Sequence, residues 1–164
     1  MDIDIDSELE RIARQEQRLR LPRLGADKLW ALGTTLKAMA ESRGLAVTIE
    51  IRQARETVFF FAMPGTTPAN ADWARRKRNA VELLQRSSYA IGLSLRRDGN
   101  SLEAGMGLPP RDYASHGGSF PLRLTDDVCV GVVTVSGLPQ HEDHALVVEA
   151  LATMCGVPLD EVTL

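Results

Sequence analysis

Features that would name a reaction outright are scarce in this chain. Its 164 residues hold two cysteines, Cys129 and Cys155, and neither lies in a C-x-x-C pair, so no thiolate metal site or redox pair is encoded and both are expected reduced. Basic residues are not in excess: 19 Lys and Arg against 22 Asp and Glu leave a net charge of -3, which argues against nucleic acid or an anionic membrane as a partner. The opening stretch, MDIDIDSELERIARQEQRLRL, lacks both the basic and the apolar region of an export signal, and no apolar run reaches membrane-spanning length. A cytoplasmic protein is expected. There is no Walker loop and no G-x-G-x-x-G, since Gly105-Met106-Gly107 runs straight into two prolines. Ser136 sits in S-G-L-P rather than G-x-S-x-G, and Cys129 alternates with valines, so neither reads as a nucleophile.

What is present suffices for one core: 44% of residues are hydrophobic, and residues 1–164 read as a single domain with 1–24 as an N-terminal helical extension. Ser7 and Glu10 suggest a capping box for a helix over about 8–18. Leu29, Leu32, Leu36, Met39 and Ala40 recur at helical spacing over about 27–43, with Gly44 as the stop. Residues 47–52 alternate as a half-buried strand and pair with 58–63 across a polar break at 53–56, a hairpin whose three phenylalanines cannot all face the core. Thr67-Pro68 opens a helix marked by Trp73, Ala80, Val81 and Leu84, and Tyr89 to Leu95 continue it or begin another. A loop rich in Gly and Pro leads to a strand through Leu122 and Leu124, which turns at Asp126-Asp127 into an antiparallel partner over 128–135. Ser136-Gly137 is the next turn, and Pro139 begins a closing helix that runs to about Cys155. Antiparallel strands in the middle with helices at the flanks give the α+β class.

Three polar clusters are candidate sites. His116-Gly117-Gly118-Ser119 can turn backbone N–H groups onto an anion while His116 offers a ligand or a proton; the other reading is a glycine-rich turn with a surface histidine. At the start of the closing helix, His141 and His144 stand three apart beside Glu142 and Asp143, so a divalent metal held by His116, Asp143 and His144 is one reading. An ordinary acidic first turn that complements the helix dipole is the other. The block Arg75-Arg76-Lys77-Arg78 is spread around a helix; Arg76 and Lys77 are its candidates for carboxylate binding, against a solvated face or intersubunit salt bridges.

The segments FFFAMPGTTPAN, DWARRKRN, DYASHGGSFPL and SGLPQHEDHALVVEAL together resemble the haem-degrading-domain family, also called GlcG-like or HbpS-like, in a branch with HGGSFP and SGLPQ motifs. The resemblance spans nearly the whole chain. It implies a profilin-like antiparallel sheet flanked by helices, assembly into a homo-oligomer, and haem or corrinoid as ligand. The family's Arg-Met-Asp-Gly segment after the second hairpin strand is replaced by Ala62-Met63-Pro64-Gly65, so contacts made there do not carry over. Three functions follow as expectations. The first is a small-molecule-binding protein whose ligand, anionic or tetrapyrrole-like, meets His116, Gly117, Gly118, Ser119, His144, Arg76 and Lys77. The second is a metal-dependent enzyme, and the third an oligomeric interaction scaffold that meets partners through its phenylalanine-rich strand or C-terminal segment.

Overall fold

The structure is a computed structural model that describes residues 3–164. Residues 1 and 2 of the N-terminal extension lie outside the described residues. The extension forms α1 (Ile5–Arg18), capped by Asp4 rather than Ser7: the Asp4 carboxylate accepts from the Ser7 N–H at 3.4 Å, so the helix starts a turn earlier than the capping box suggests. A two-residue strand, β1 (Arg20–Leu21), follows, then α2 (Ala26–Ser42) and the hairpin β2 (Thr48–Gln53) and β3 (Glu56–Ala62). Helix α3 (Pro68–Leu84) ends at Gln85, and α4 (Ser88–Arg97) is a separate helix capped by Ser87. A short α5 (Leu102–Met106), β4 (Ser119–Leu124), β5 (Cys129–Ser136), α6 (Gln140–Cys155) and a 3-10 turn at Leu159–Glu161 complete the chain.

The five strands form one sheet in the order β1-β4-β5-β2-β3, antiparallel throughout except for the parallel β1–β4 pair. Helices α2 and α6 cover one face and α3 the other, which makes the α+β, profilin-like arrangement. Strand alternation decides what each face offers. Ile49, Ile51, Phe59, Phe120, Leu122, Val133 and Val135 point at α2 and α6, where they meet Leu32, Leu36, Val147 and Leu151 in the main core. The opposite face is buried too, yet it carries Thr48, Glu50, Ser119, Thr134 and Ser136. Buried polar atoms demand partners, so α3 turns charges inward. Arg78 Nε lies 2.9 Å from Glu50 Oε1 and Arg52 Nε 2.9 Å from Glu82 Oε1, charge pairs in contact but not aligned as hydrogen bonds, while the Ser119 and Thr134 hydroxyls bond at 2.8 Å.

Three of the four basic side chains are therefore held by carboxylates of the protein itself, which leaves Arg76 as the block's candidate for a ligand carboxylate. Arg75 bridges Asp72 and Asp112, Lys77 and Arg78 are directed at the sheet, and Arg76 lies over the Trp73 ring with 4.3 Å between its guanidinium carbon and the ring centre.

Candidate functional site

The first turns of α3 and α6 face a hollow of about 260 Å³ lined by Asn70, Trp73 and Lys77 from α3, His116 from the β4 approach, and Ser136 to Leu138, Gln140 and Asp143 from the SGLPQ turn and α6. Its floor is an ion pair. Lys77 Nζ donates at 3.0 Å to each of Asp143 Oδ2, the Gly117 carbonyl and the Val135 carbonyl, and the two side chains are 3% and 2% exposed. Burial pushes the Lys77 ammonium down and the Asp143 carboxyl up, and their mutual contact opposes both shifts. Hydrogen-bond count decides the charge state. Three acceptors use all three protons of an ammonium, and Asp143 accepts from the Leu138 N–H at 3.0 Å and the Gly137 N–H at 3.4 Å, so the pair is ionised.

The two glycines before β4 serve that pair. A Cβ on Gly117 would stand 2.4 Å from the Gln140 carbonyl oxygen; on Gly118, whose φ is +127°, it would stand 2.3 Å from the Val135 oxygen and 2.8 Å from Lys77 Nζ. Only glycine lets the backbone lie this close to the buried ammonium. The anion cradle expected of Gly117, Gly118 and Ser119 is occupied by the protein itself: the Gly117 N–H donates to Gln140 Oε1 at 3.1 Å and the Ser119 N–H to Ser88 Oγ at 3.0 Å.

His116 stands exposed on the rim, edge-on to Trp73 with ring centres 5.0 Å apart. Partial desolvation and then the charges of Lys77 and Arg76 push its pKa below 6.5, so the imidazole is neutral at pH 7 with a lone pair to offer. The ring also borders a second hollow of about 360 Å³ that includes Arg76, Arg96 and Tyr113. Arg76 Nε and Nη2 donate to the Pro110 carbonyl at 3.1 and 2.7 Å, leaving Nη1 without a partner among the described residues. Two rim amides have their oxygens in use and their NH2 groups left over. Asn70 Oδ1 takes the Thr67 N–H and Gln140 Oε1 that of Gly117, so the two amide NH2 groups have no partner among the described residues. Donors, two helix N-termini and a neutral imidazole favour a ligand with negative charge or lone pairs.

His144 is elsewhere. It is fully buried, its ring 5.1 Å from Tyr89 and 5.9 Å from Phe120, and its Nε2 lies 2.7 Å from Gln15 Oε1. The amide oxygen can only accept, so Nε2 carries the proton, and desolvation drops the pKa to about 3. His141, one turn earlier, is exposed beside Glu142. The metal site expected from His116, Asp143 and His144 is not assembled: Asp143 is committed to Lys77, His144 faces the α1 side, and no group of three or more His, Cys, Asp or Glu could hold a metal among the described residues. Missed in sequence were Asn70, Trp73 and Gln140. The first two share a helix face with Lys77 at i, i+3 and i+7, a signal present in PANADWARRK.

A family model described as haem degrading protein HbpS-like matches residues 24–152. A protein of Azotobacter vinelandii named UPF0303 protein is 54% identical over 162 residues, covering 99% of this chain and 98% of its own. Among solved structures, the Ybr137w protein superposes with a TM-score of 0.82 at 24% identity, covering 90% of this chain and 87% of that one. The PduOC–haem complex superposes with a TM-score of 0.69 at 18% identity, covering 79% of this chain and 93% of that one.

Proposed function

The chain belongs to the HbpS-like family of haem-degrading proteins, and from that premise we propose that it binds an anionic, tetrapyrrole-like ligand at the Trp73–His116 rim, acting as a cytoplasmic homo-oligomer. One observation carries the reading: an exposed imidazole, kept neutral by its surroundings, borders both hollows and is braced edge-on by Trp73. The 260 Å³ hollow is smaller than the usual ligand pocket of ~300–1,000 Å³, so a macrocycle would extend over His116 towards the second hollow and Arg76. For haem the residues fit: His116 would hold the iron and Arg76 Nη1 a propionate. When bound, haem would supply a redox-active iron; the chain's own residues supply the ligand, the ring contact and the charge. The PduOC neighbour, which was crystallised with haem, supports the choice of probe.

Titration of the purified protein with haem is expected to give a Soret band that His116→Ala abolishes and His144→Leu leaves in place. An unchanged spectrum on adding haem to the wild type defeats the reading. A band that survives His116→Ala moves the site away from this rim.

A further inference from the structure

Three of the large apolar side chains that solvent reaches stand together at one border of the sheet: Trp30 is 62% exposed, Val58 42% and Phe60 49%. They flank a hollow of about 450 Å³ between α2 and β3. Strand β3 is the last of the sheet, with β2 on one side only; a bulge at Val58 interrupts its register with β2, and its sequence ETVFFFA has neither the lysine nor the proline that blunts an exposed edge. The opposite edge is a two-residue strand and offers little to pair with.

The register shows which backbone groups are free. Met63 N–H donates to the Val47 carbonyl at 3.1 Å, and Ile49 faces Phe61 while Ile51 faces Phe59. Antiparallel pairs alternate between bonded and non-bonded, so Phe59 and Phe61 spend their N–H and C=O on β2, and Phe60 and Ala62 turn theirs outward. A strand laid antiparallel against that border finds a ready ladder. β3 itself satisfies it about a two-fold axis at Phe60: Phe60 opposes Phe60 of the second copy and Phe59 opposes Phe61, and the ladder ends where Ala62 meets Val58, the residue that a bulge leaves without a β2 partner.

The rim is self-complementary in charge as well. Lys37 and Glu41, paired one turn apart on α2 beside the hollow, give it one charge of each sign, and Lys37 already lies 5.2 Å from the Phe61 ring centre. Two copies related by a two-fold can exchange these partners and leave no net charge enclosed. The strand is also firmly backed, because Gly33 lets α2 close on Phe59, where a Cβ would stand 2.5 Å from the ring, and Trp30 meets Phe59 edge-on at 5.3 Å.

We propose that β3 and the adjoining face of α2 are the surface through which two copies of this chain pair, joining their sheets edge to edge. This names the interface of the assembly part of the proposed function and rests on that part, not on the ligand. Sedimentation analysis of the wild type, Phe60→Glu and Ala62→Pro tests it. Phe60 is half-exposed, and the Ala62 N–H points away from β2, so neither change touches the core; the far-UV spectrum of each is expected to match the wild type. The wild type should sediment at a multiple of the 18.0 kDa chain mass, and each variant at half that mass. If one variant loses its far-UV spectrum, the other carries the comparison. A wild type at 18.0 kDa overturns both the assembly and this interface. An assembled wild type whose mass survives in the folded variants overturns this interface alone. Neither result bears on the haem titration, which separates the two readings.

Discussion

His144 is a proton sensor turned off by burial. Its folded pKa of about 3 lies below the 6.5 of an exposed histidine, so the unfolded chain binds a proton that the folded chain refuses. The sign follows: this contribution to stability is complete above pH ~6.5 and is lost as pH falls towards 3, at about 1.4 kcal/mol per pH unit. Denaturant melts of the wild type and His144→Leu at pH 7.5, 6 and 5 should converge on the acid side, the variant having lost one proton's worth of slope; parallel curves would mean that His144 is not neutral. At Lys77 and Asp143 the prediction concerns imbalance. Lys77→Met strands a buried carboxylate and should cost ~3–5 kcal/mol, whereas Lys77→Met with Asp143→Leu should recover much of that loss, a non-additivity that a double-mutant cycle measures. Equal losses that simply add would show that the two charges do not interact. At this scale the sequence carried residue types but not directions. His-x-x-His reads the same whether both rings face solvent, as His141 does, or one faces Gln15 and Phe120, as His144 does.

Elements were legible where periodicity is long and opaque where it is short. Helix α2, the hairpin, α3 and α6 lie within a residue or two of the spacing-based expectation, because each buries a repeating apolar set. Strand β1 has two residues and α5 five, too few for a period to register, and β1 exists only because β4 pairs with it in parallel. Pro139 is the cap of α6 rather than its first residue, a one-place shift within the usual uncertainty of helix ends. The β2–β3 turn carries the sharpest local disagreement. Ala54 and Arg55 both adopt positive φ, 50° and 67°, a conformation that Asn-Gly would occupy more easily. Sheet register holds them there, with Gln53 against Glu56 and the Arg52 guanidinium on the Arg55 carbonyl. Relief of left-handed strain, ~1–2 kcal/mol per residue, predicts that Ala54→Asn with Arg55→Gly raises stability by about 1–2 kcal/mol at unchanged denaturant slope. A loss of stability would show that the Ala54 or Arg55 side chain makes a contact worth more than the strain.

Across the whole molecule, the layer least visible from sequence is the polar one beneath α3, because strand alternation alone cannot tell a solvated face from one roofed by charges. The inward turn of Lys77 and Arg78 sets a countercharge against Asp143 and Glu50 in that layer, and it also puts Trp73 and Asn70 on the pocket wall. The N-terminal extension plays the matching part on the other side. Ile12 is wholly buried with Tyr89 and Leu93 of α4, and Gln15 joins three distant parts of the chain, accepting from His144 and donating from Nε2 to the Val162 carbonyl at 2.7 Å. The family model begins at residue 24, so this clamp lies outside the part of the chain that it matches. Gln15→Leu removes both bonds at near-constant volume and leaves a buried donor and a buried acceptor unpaired, at ~1–3 kcal/mol each. Thermal melting should therefore move down by several degrees while the haem titration keeps its midpoint, since the Trp73–His116 rim touches neither Gln15 nor Val162. A shifted midpoint at unchanged melting temperature would reverse that assignment and make the extension part of the binding site.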